Sequence, residues 1–153
     1  MAEQTKAIDA TDQHILEALL ENARVSQKEL AERVGLTPPS VAERLRRLEE
    51  RDIIRSFTVD INPQALGYAL QAIVRIRPLP GKLKAVQKLI QETPEFVECD
   101  KVTGDDCFIA RLLIRSMDQL DEILDGITDY AETNTSVVKS HPVPRRLPPL
   151  RPR

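Results

Sequence analysis

Ser26-Gln27-Lys28-Glu29-Leu30-Ala31-Glu32-Arg33-Val34-Gly35-Leu36-Thr37-Pro38-Pro39-Ser40-Val41 is the stretch on which the fold turns. Ser26 and Glu29 have the spacing of a capping box: the hydroxyl accepts from the amide three residues on, and the carboxylate reaches back to the cap amide. The helix they open is short, with Leu30, Ala31 and Val34 as its apolar stripe. Gly35 stops it where a left-handed residue is wanted. Leu36 turns inward, Thr37 caps a second helix, and Pro38 takes its first position, where a missing N–H is harmless. Short helix, tight Gly turn and capped second helix together predict a helix-turn-helix.

Working outward, the second helix is expected to reach about Asp52. At about 100° per residue, Val41, Leu45 and Leu48 converge on one face. The opposite face carries Pro39, Glu43, Arg46, Arg47 and Glu50, flanked by Ser40 and Arg44. Such a face fits a major groove roughly 12 Å wide, and base contacts come mostly from the first turns of a recognition helix. Ser40, Glu43, Arg44 and Arg47 are therefore the predicted base readers, and Arg46, Arg51 and Arg55 the predicted phosphate contacts. Glu43, Glu49, Glu50 and Asp52 share the stretch, so a plain solvated face competes with a contact role for any one arginine. Upstream, Asp9 is placed to cap a helix lasting to about Ala23, with Ile15, Leu16, Leu19 and Leu20 as its apolar positions. Downstream, Ile53-Ile54 and Phe57 to Ile61 read as short strands that make the unit winged.

Residues 61–67, with Pro63 and Gly67, read as a linker. Beyond them, strand and helix signals alternate. Leu70, Ala72, Val74 and Ile76 predict a strand, and Leu83, Val86, Leu89 and Ile90 an amphipathic helix. Phe96 to Thr103 and Cys107 to Ile114 read as two strands joined by a Gly104-Asp105-Asp106 turn. Ser116 to Gln119 is a second capping box, opening a helix with Leu120, Ile123, Leu124 and Ile127. Thr135 to Ser140 closes the series. The fold class is thus α+β: a winged helix-turn-helix (residues 1–60), the linker, and a ferredoxin-like β-α-β-β-α-β domain (68–140). Ala69, Ile73 and Ile109 are apolar on the strand parity that the helices would not cover, which predicts a sheet-to-sheet dimer. The tail, 141–153, has five prolines and Arg145, Arg146, Arg151 and Arg153, with no acid. It is expected to be extended, and either to supplement DNA affinity or to aid solubility.

Bulk properties narrow the function. Net charge is −2 and aromatics are 3%, so DNA affinity must come from local cations and not from base-stacking platforms. There is no membrane-length apolar run and no signal-like start, which predicts a cytoplasmic, nucleoid-associated protein. Cys99 and Cys107 are expected as small buried residues, and no metal site is expected. No nucleophile, phosphate loop or acid–base pair stands at catalytic spacing, so an enzyme is not expected.

Three runs carry a resemblance: Ile8-Asp9-x-x-Asp12-x-x-Ile15-Leu16; Leu30-Ala31-Glu32-Arg33-Val34-Gly35-Leu36-Thr37; and Val41-x-x-Arg44-Leu45-Arg46-Arg47-Leu48-Glu49 followed by Ile53-Ile54. With Val102-Thr103-Gly104-Asp105 further on, the chain resembles the Lrp/AsnC feast/famine regulators from Ile8 to about Ser140. The resemblance implies promoter duplex DNA as partner. It also implies a dimer through the β-α-β-β-α-β domain, assembled further into tetramers, octamers or hexadecamers, and a free amino acid as effector in place of a bound cofactor. The turn departs from the family pattern in having no aromatic beside Asp105. Gly104, Asp105 and Asp106 are the predicted effector residues, because open amides suit a carboxylate and an acid suits an α-ammonium. The polar run with Thr133, Thr135 and Ser136 is expected to complete the pocket, from the same or a neighbouring subunit. An architectural DNA-wrapping protein without effector is the alternative function.

Overall fold

In the computed structural model, which describes residues 8–150, Asp9 accepts from the Asp12 N–H at 2.7 Å and opens helix α1, Ala10–Glu21. Ser26 caps α2, Gln27–Val34, accepting from Glu29 N–H at 3.1 Å. Gly35, at φ 68°, ends α2 in the left-handed region, which a side chain disfavours. Thr37 caps α3, Pro38–Glu50. Ile15, Leu30, Val41 and Leu48 are fully buried where the three helices meet. Each such side chain contributes about 1.5–3 kcal/mol.

Asp52 follows α3 at φ 54°, an uncommon conformation for a non-glycine residue. It turns the chain back so that the Ile53 and Ile54 amides both donate to the Leu48 carbonyl, at 2.9 and 3.1 Å, and both side chains rejoin the core. Two expectations change here. Leu20 is 57% exposed and lies outside the α1 stripe. The segments expected as wing strands, Ile53-Ile54 and Phe57 to Ile61, form no ladder. Phe57, Val59 and Ile61 do alternate with polar residues, but all three are exposed and no strand lies alongside them. A strand pattern without a partner gains no inter-strand hydrogen bonds.

The second unit, Ile61–Arg146, begins with a 3-10 turn, Pro63–Leu66, where a linker was expected. Arg115 stacks over Tyr68 and donates to the Leu66 carbonyl at 3.1 Å. A side chain at Gly67 would meet that guanidinium. The elements then run β1 (Leu70–Pro78), α4 (Leu83–Glu92), β2 (Phe96–Lys101), β3 (Phe108–Ile114), α5 (Met117–Asp125) and β4 (Ala131–Val137). The strands form one antiparallel sheet in the order β2-β3-β1-β4. Ala72, Val74 and Ile76 on β1 and Phe108, Ala110, Leu112 and Ile114 on β3 face the helices, where Val86, Ile90 and Leu120 close the core. On β2 the register slips between Phe96 and Glu98, leaving Val97 half exposed.

The last strand begins at Ala131, four residues before its expected start at Thr135. Its helix-side positions are Ala131, Thr133 and Thr135, buried or half buried, with Val137 at the end of the strand exposed, and the polar threonines mask the alternation. Cys99 also differs from expectation, because it is exposed on the edge strand β2. Of the tail, residues 141–150 form neither helix nor strand, and Arg151 and Arg153 lie outside the described residues.

Candidate nucleic-acid interface and effector turn

The α2–Gly35–α3 corner presents the outer face of α3. Thr37 shapes its first turn: its Oγ1 lies 2.9 Å from Ser40 Oγ and accepts from the Ser40 N–H at 3.4 Å. Ser40, Glu43 and Arg47 are all exposed. The Arg47 side chain makes no hydrogen bond or salt bridge among the described residues and acts on Glu43 only through its charge, so its five donors face solvent.

The other arginines are not equivalent to it. Arg46 is clasped by acids on its own helix face, donating to Glu43 at 2.6 and 3.0 Å and to Glu50. The Arg46 hydrogen bond holds the Glu43 carboxyl below its ordinary value, and the same contacts push the Arg46 pKa up. Arg55 lies 3.6 Å from Asp52, both well exposed. Arg51 caps α3, half buried, with its N–H bonded to the Arg47 carbonyl.

Arg44 is engaged within its own unit. One guanidinium nitrogen donates at 2.7 Å to both Asp9 and Asp12, tying α3 to the capped start of α1. Asp12 is largely buried, so this bond supplies a cation that solvent does not. Two backbone steps explain the geometry: Arg44 lies one turn after Ser40, and the buried Val41–Leu48 face turns its flank toward α1. In the sequence, Asp9 and Asp12 stand three residues apart at the start of α1, a spacing that does not by itself point to an arginine more than thirty residues later.

In the second unit, the β2–β3 turn is closed by the Val102 N–H donating to the Cys107 carbonyl at 2.9 Å. Gly104 sits at φ 117° with open space where a Cβ would be. Gly104 and Asp105 are exposed, and Asp106 is half buried. Arg77, on β1, lies between Asp106 at 3.9 Å and Glu132 at 3.8 Å. Sequence reasoning missed Arg77, although Arg75 and Arg77 on one strand parity signalled a cationic sheet face. Thr133 and Thr135 lie on the opposite, helix-covered parity, paired with Ile76 and Val74, whereas Ser136 pairs with Ile73. One chain therefore does not gather Thr133, Thr135 and Ser136 with the turn: β4 is two strands from β3, roughly 10 Å. Among the described residues no cluster suited to a metal ion occurs, and no helix is long and apolar enough to cross a membrane.

Comparison with known proteins bears on both units. Residues 8–55 match the winged helix-turn-helix DNA-binding family, and residues 71–148 the Lrp/AsnC ligand binding domain. The HTH-type transcriptional regulator FL11 of Pyrococcus furiosus is 32% identical, over 92% of this chain and 96% of its own. A transcriptional regulator of Neisseria meningitidis, solved as an L-Met complex, superposes with TM-score 0.85 at 26% identity, covering 94% of this chain and 97% of that one. The feast or famine regulatory protein of M. tuberculosis, complexed with L-methionine, gives 0.82 at 28% identity, covering 92% and 98%. Matched along both units, and not an enzyme, the chain belongs to the Lrp/AsnC family of transcription regulators.

Proposed function

We propose that this chain is an oligomeric regulator that reads duplex DNA with Ser40, Glu43 and Arg47 and takes a free amino acid as effector at the Gly104–Asp106 turn. The observation that carries the DNA reading is Arg47: a guanidinium with no hydrogen bond or salt bridge of its own, on the exposed face of a doubly capped helix. Its planar fork matches the O6 and N7 acceptors of guanine. Arg46, Arg51 and Arg55 serve as phosphate contacts, Arg46 by exchanging a carboxylate for a phosphate. Titration of the protein on DNA upstream of its own gene tests this. Arg47→Ala should relax preference at one base pair by about 1–3 kcal/mol, with binding to unrelated duplex little changed. Equal loss on every sequence would remove Arg47 from the readers.

For the effector, the open amides around Gly104 suit a carboxylate, and Asp105 suits an α-ammonium. Arg77, already facing Asp106, offers a second carboxylate partner. Relatives solved with L-methionine support an amino acid as ligand. Ser136, on the uncovered face, enters this site from a neighbouring copy, whereas Thr133 and Thr135 turn toward the helices and stay out of it. A melting screen across the amino acids should find one that raises the midpoint, by about 2.7 kcal/mol of stabilisation at a hundredfold excess over Kd. Asp105→Ala should abolish that shift, and a screen without any shift favours the architectural alternative.

Dimerisation occurs through the sheet face away from the helices. Ile73 and Leu113 there are half buried, Ile109 is exposed, and Arg75, Arg111, Glu98 and Asp100 surround them with both signs of charge.

A further inference from the structure

After Glu132 the chain contains no further acid, yet it carries Lys139, Arg145, Arg146, Arg151 and Arg153. This contrasts with a whole-chain net charge of −2. Within the described part of this segment, Val143 and Leu147 are 62% and 60% exposed. Leu150 behaves differently: it is half buried, packed against the core that holds Ile15, Leu30, Val41 and Leu48. Leu147 to Leu150 accordingly group with the helix-turn-helix unit, whereas Arg145 and Arg146 close the second unit. Arg145 and Arg146 stand five and four residues before that anchor, exposed and without a partner among the described residues. Pro142, Pro144, Pro148 and Pro149 lower the conformational entropy lost when the segment is fastened.

We infer that the C-terminal tail is a strap, fastened by Leu150 to the helix-turn-helix unit, that delivers Arg145 and Arg146 to phosphates of the DNA which that unit binds. The partner follows from chemistry. Unpaired guanidiniums on a segment without carboxylates fit a polyanion, and phosphate accepts from them bidentately. Fastening the segment to the unit that carries α3 raises the local concentration of these cations at bound DNA without requiring affinity of their own. The proposal rests on the DNA-binding reading and adds a second surface to it.

The test is the salt dependence of duplex binding by the full chain, read by fluorescence anisotropy on DNA from upstream of its own gene. R145Q/R146Q should lower the magnitude of the slope of log K against log salt by about 1.8, and affinity by roughly thirtyfold at 0.15 M salt, without changing sequence preference. L150S should lower both in the same direction with the arginines intact, because the strap is then unfastened. Truncation after Ser140 gives the same reading if L150S lowers the melting point of the unit. If parent and R145Q/R146Q bind DNA with equal slopes, the strap is wrong and the DNA reading stands. If R145Q/R146Q lowers the slope and L150S does not, the Leu150 anchor is wrong. If the parent shows no salt-dependent binding at all, the underlying DNA reading fails.

Discussion

Replacing Arg44 by alanine should weaken DNA binding on every sequence alike, roughly tenfold, and destabilise the DNA-binding unit by about 2 kcal/mol. The argument starts from the bond pair at 2.7 Å to Asp9 and Asp12. Asp12 has a side chain only 11% exposed, so its charge has little water to fall back on once the guanidinium is gone. A hydrogen bond to a charged partner contributes about 1.5–3 kcal/mol. The half-exposed Asp9 end adds less because solvent screens it. Without the tie, α3 loses its ion pair to the start of α1, and its outer face meets the groove in a broader range of orientations. A reader lost in the same substitution would behave differently, relaxing one base pair and sparing stability.

The pH dependence separates these cases further. The Asp9 carboxyl is held below its ordinary 3.8, first by the Asp12 amide and then by Arg44. A lowered carboxylate pKa contributes stability that is complete above the unfolded value and is lost as pH falls through the folded one. The parent should therefore lose stability as pH drops from about 5 to below 3.8, and Arg44→Ala should lose less over that interval. Melting curves of both proteins across this interval, with anisotropy titrations at neutral pH, check the two halves. A flat difference between the proteins, together with a change of preference at one base pair, would return Arg44 to the readers.

Ile73→Arg should separate the proposed sheet-to-sheet dimer. Ile73 lies opposite Arg111 on the sheet face the helices leave uncovered, one strand position from Arg75. A third guanidinium there has no carboxylate of its own, and twofold symmetry places a copy against it in the partner. Burying the unpaired charge twice costs about 4 kcal/mol, roughly a thousandfold in Kd. Sedimentation of the full chain at micromolar concentration should then show monomer. Because Ile73 points away from the core of Val74 and Leu112, the melting midpoint of the monomer should stay cooperative. A variant still sedimenting as the parent would place the interface elsewhere.

The legible parts of the chain were those where local chemistry and tertiary packing agree. Ser26, Gly35, Thr37, Pro38 and Ser116 each act within one helical turn, and the turns they predict are the turns observed. The β-α-β-β-α-β order was readable because β1 and β3 alternate between buried and more exposed positions, with Ala72, Val74 and Ile76 on one and Phe108, Ala110, Leu112 and Ile114 on the other turned inward. β4 was harder, since threonine on a core parity looks like loop. The strand pattern of Phe57, Val59 and Ile61 has the right period but no ladder beside it, and period alone does not supply one. Site residues followed the same division. Exposure of Ser40 and Arg47 follows from helical phase, whereas the turning of Arg44 toward α1 depends on two acids more than thirty residues earlier.

The bulged edge strand β2 has a consequence for the protein at high concentration. An outermost strand offers a row of unpaired amides and carbonyls to any passing chain, and flat, apolar edges of this kind seed fibrils. On β2 the register slip after Phe96 twists the edge, and Glu98, Asp100 and Lys101 set charge along it. A neighbouring strand arriving there would have to desolvate those charges against an irregular ladder. Copies brought close together at high concentration therefore meet without zippering edge to edge.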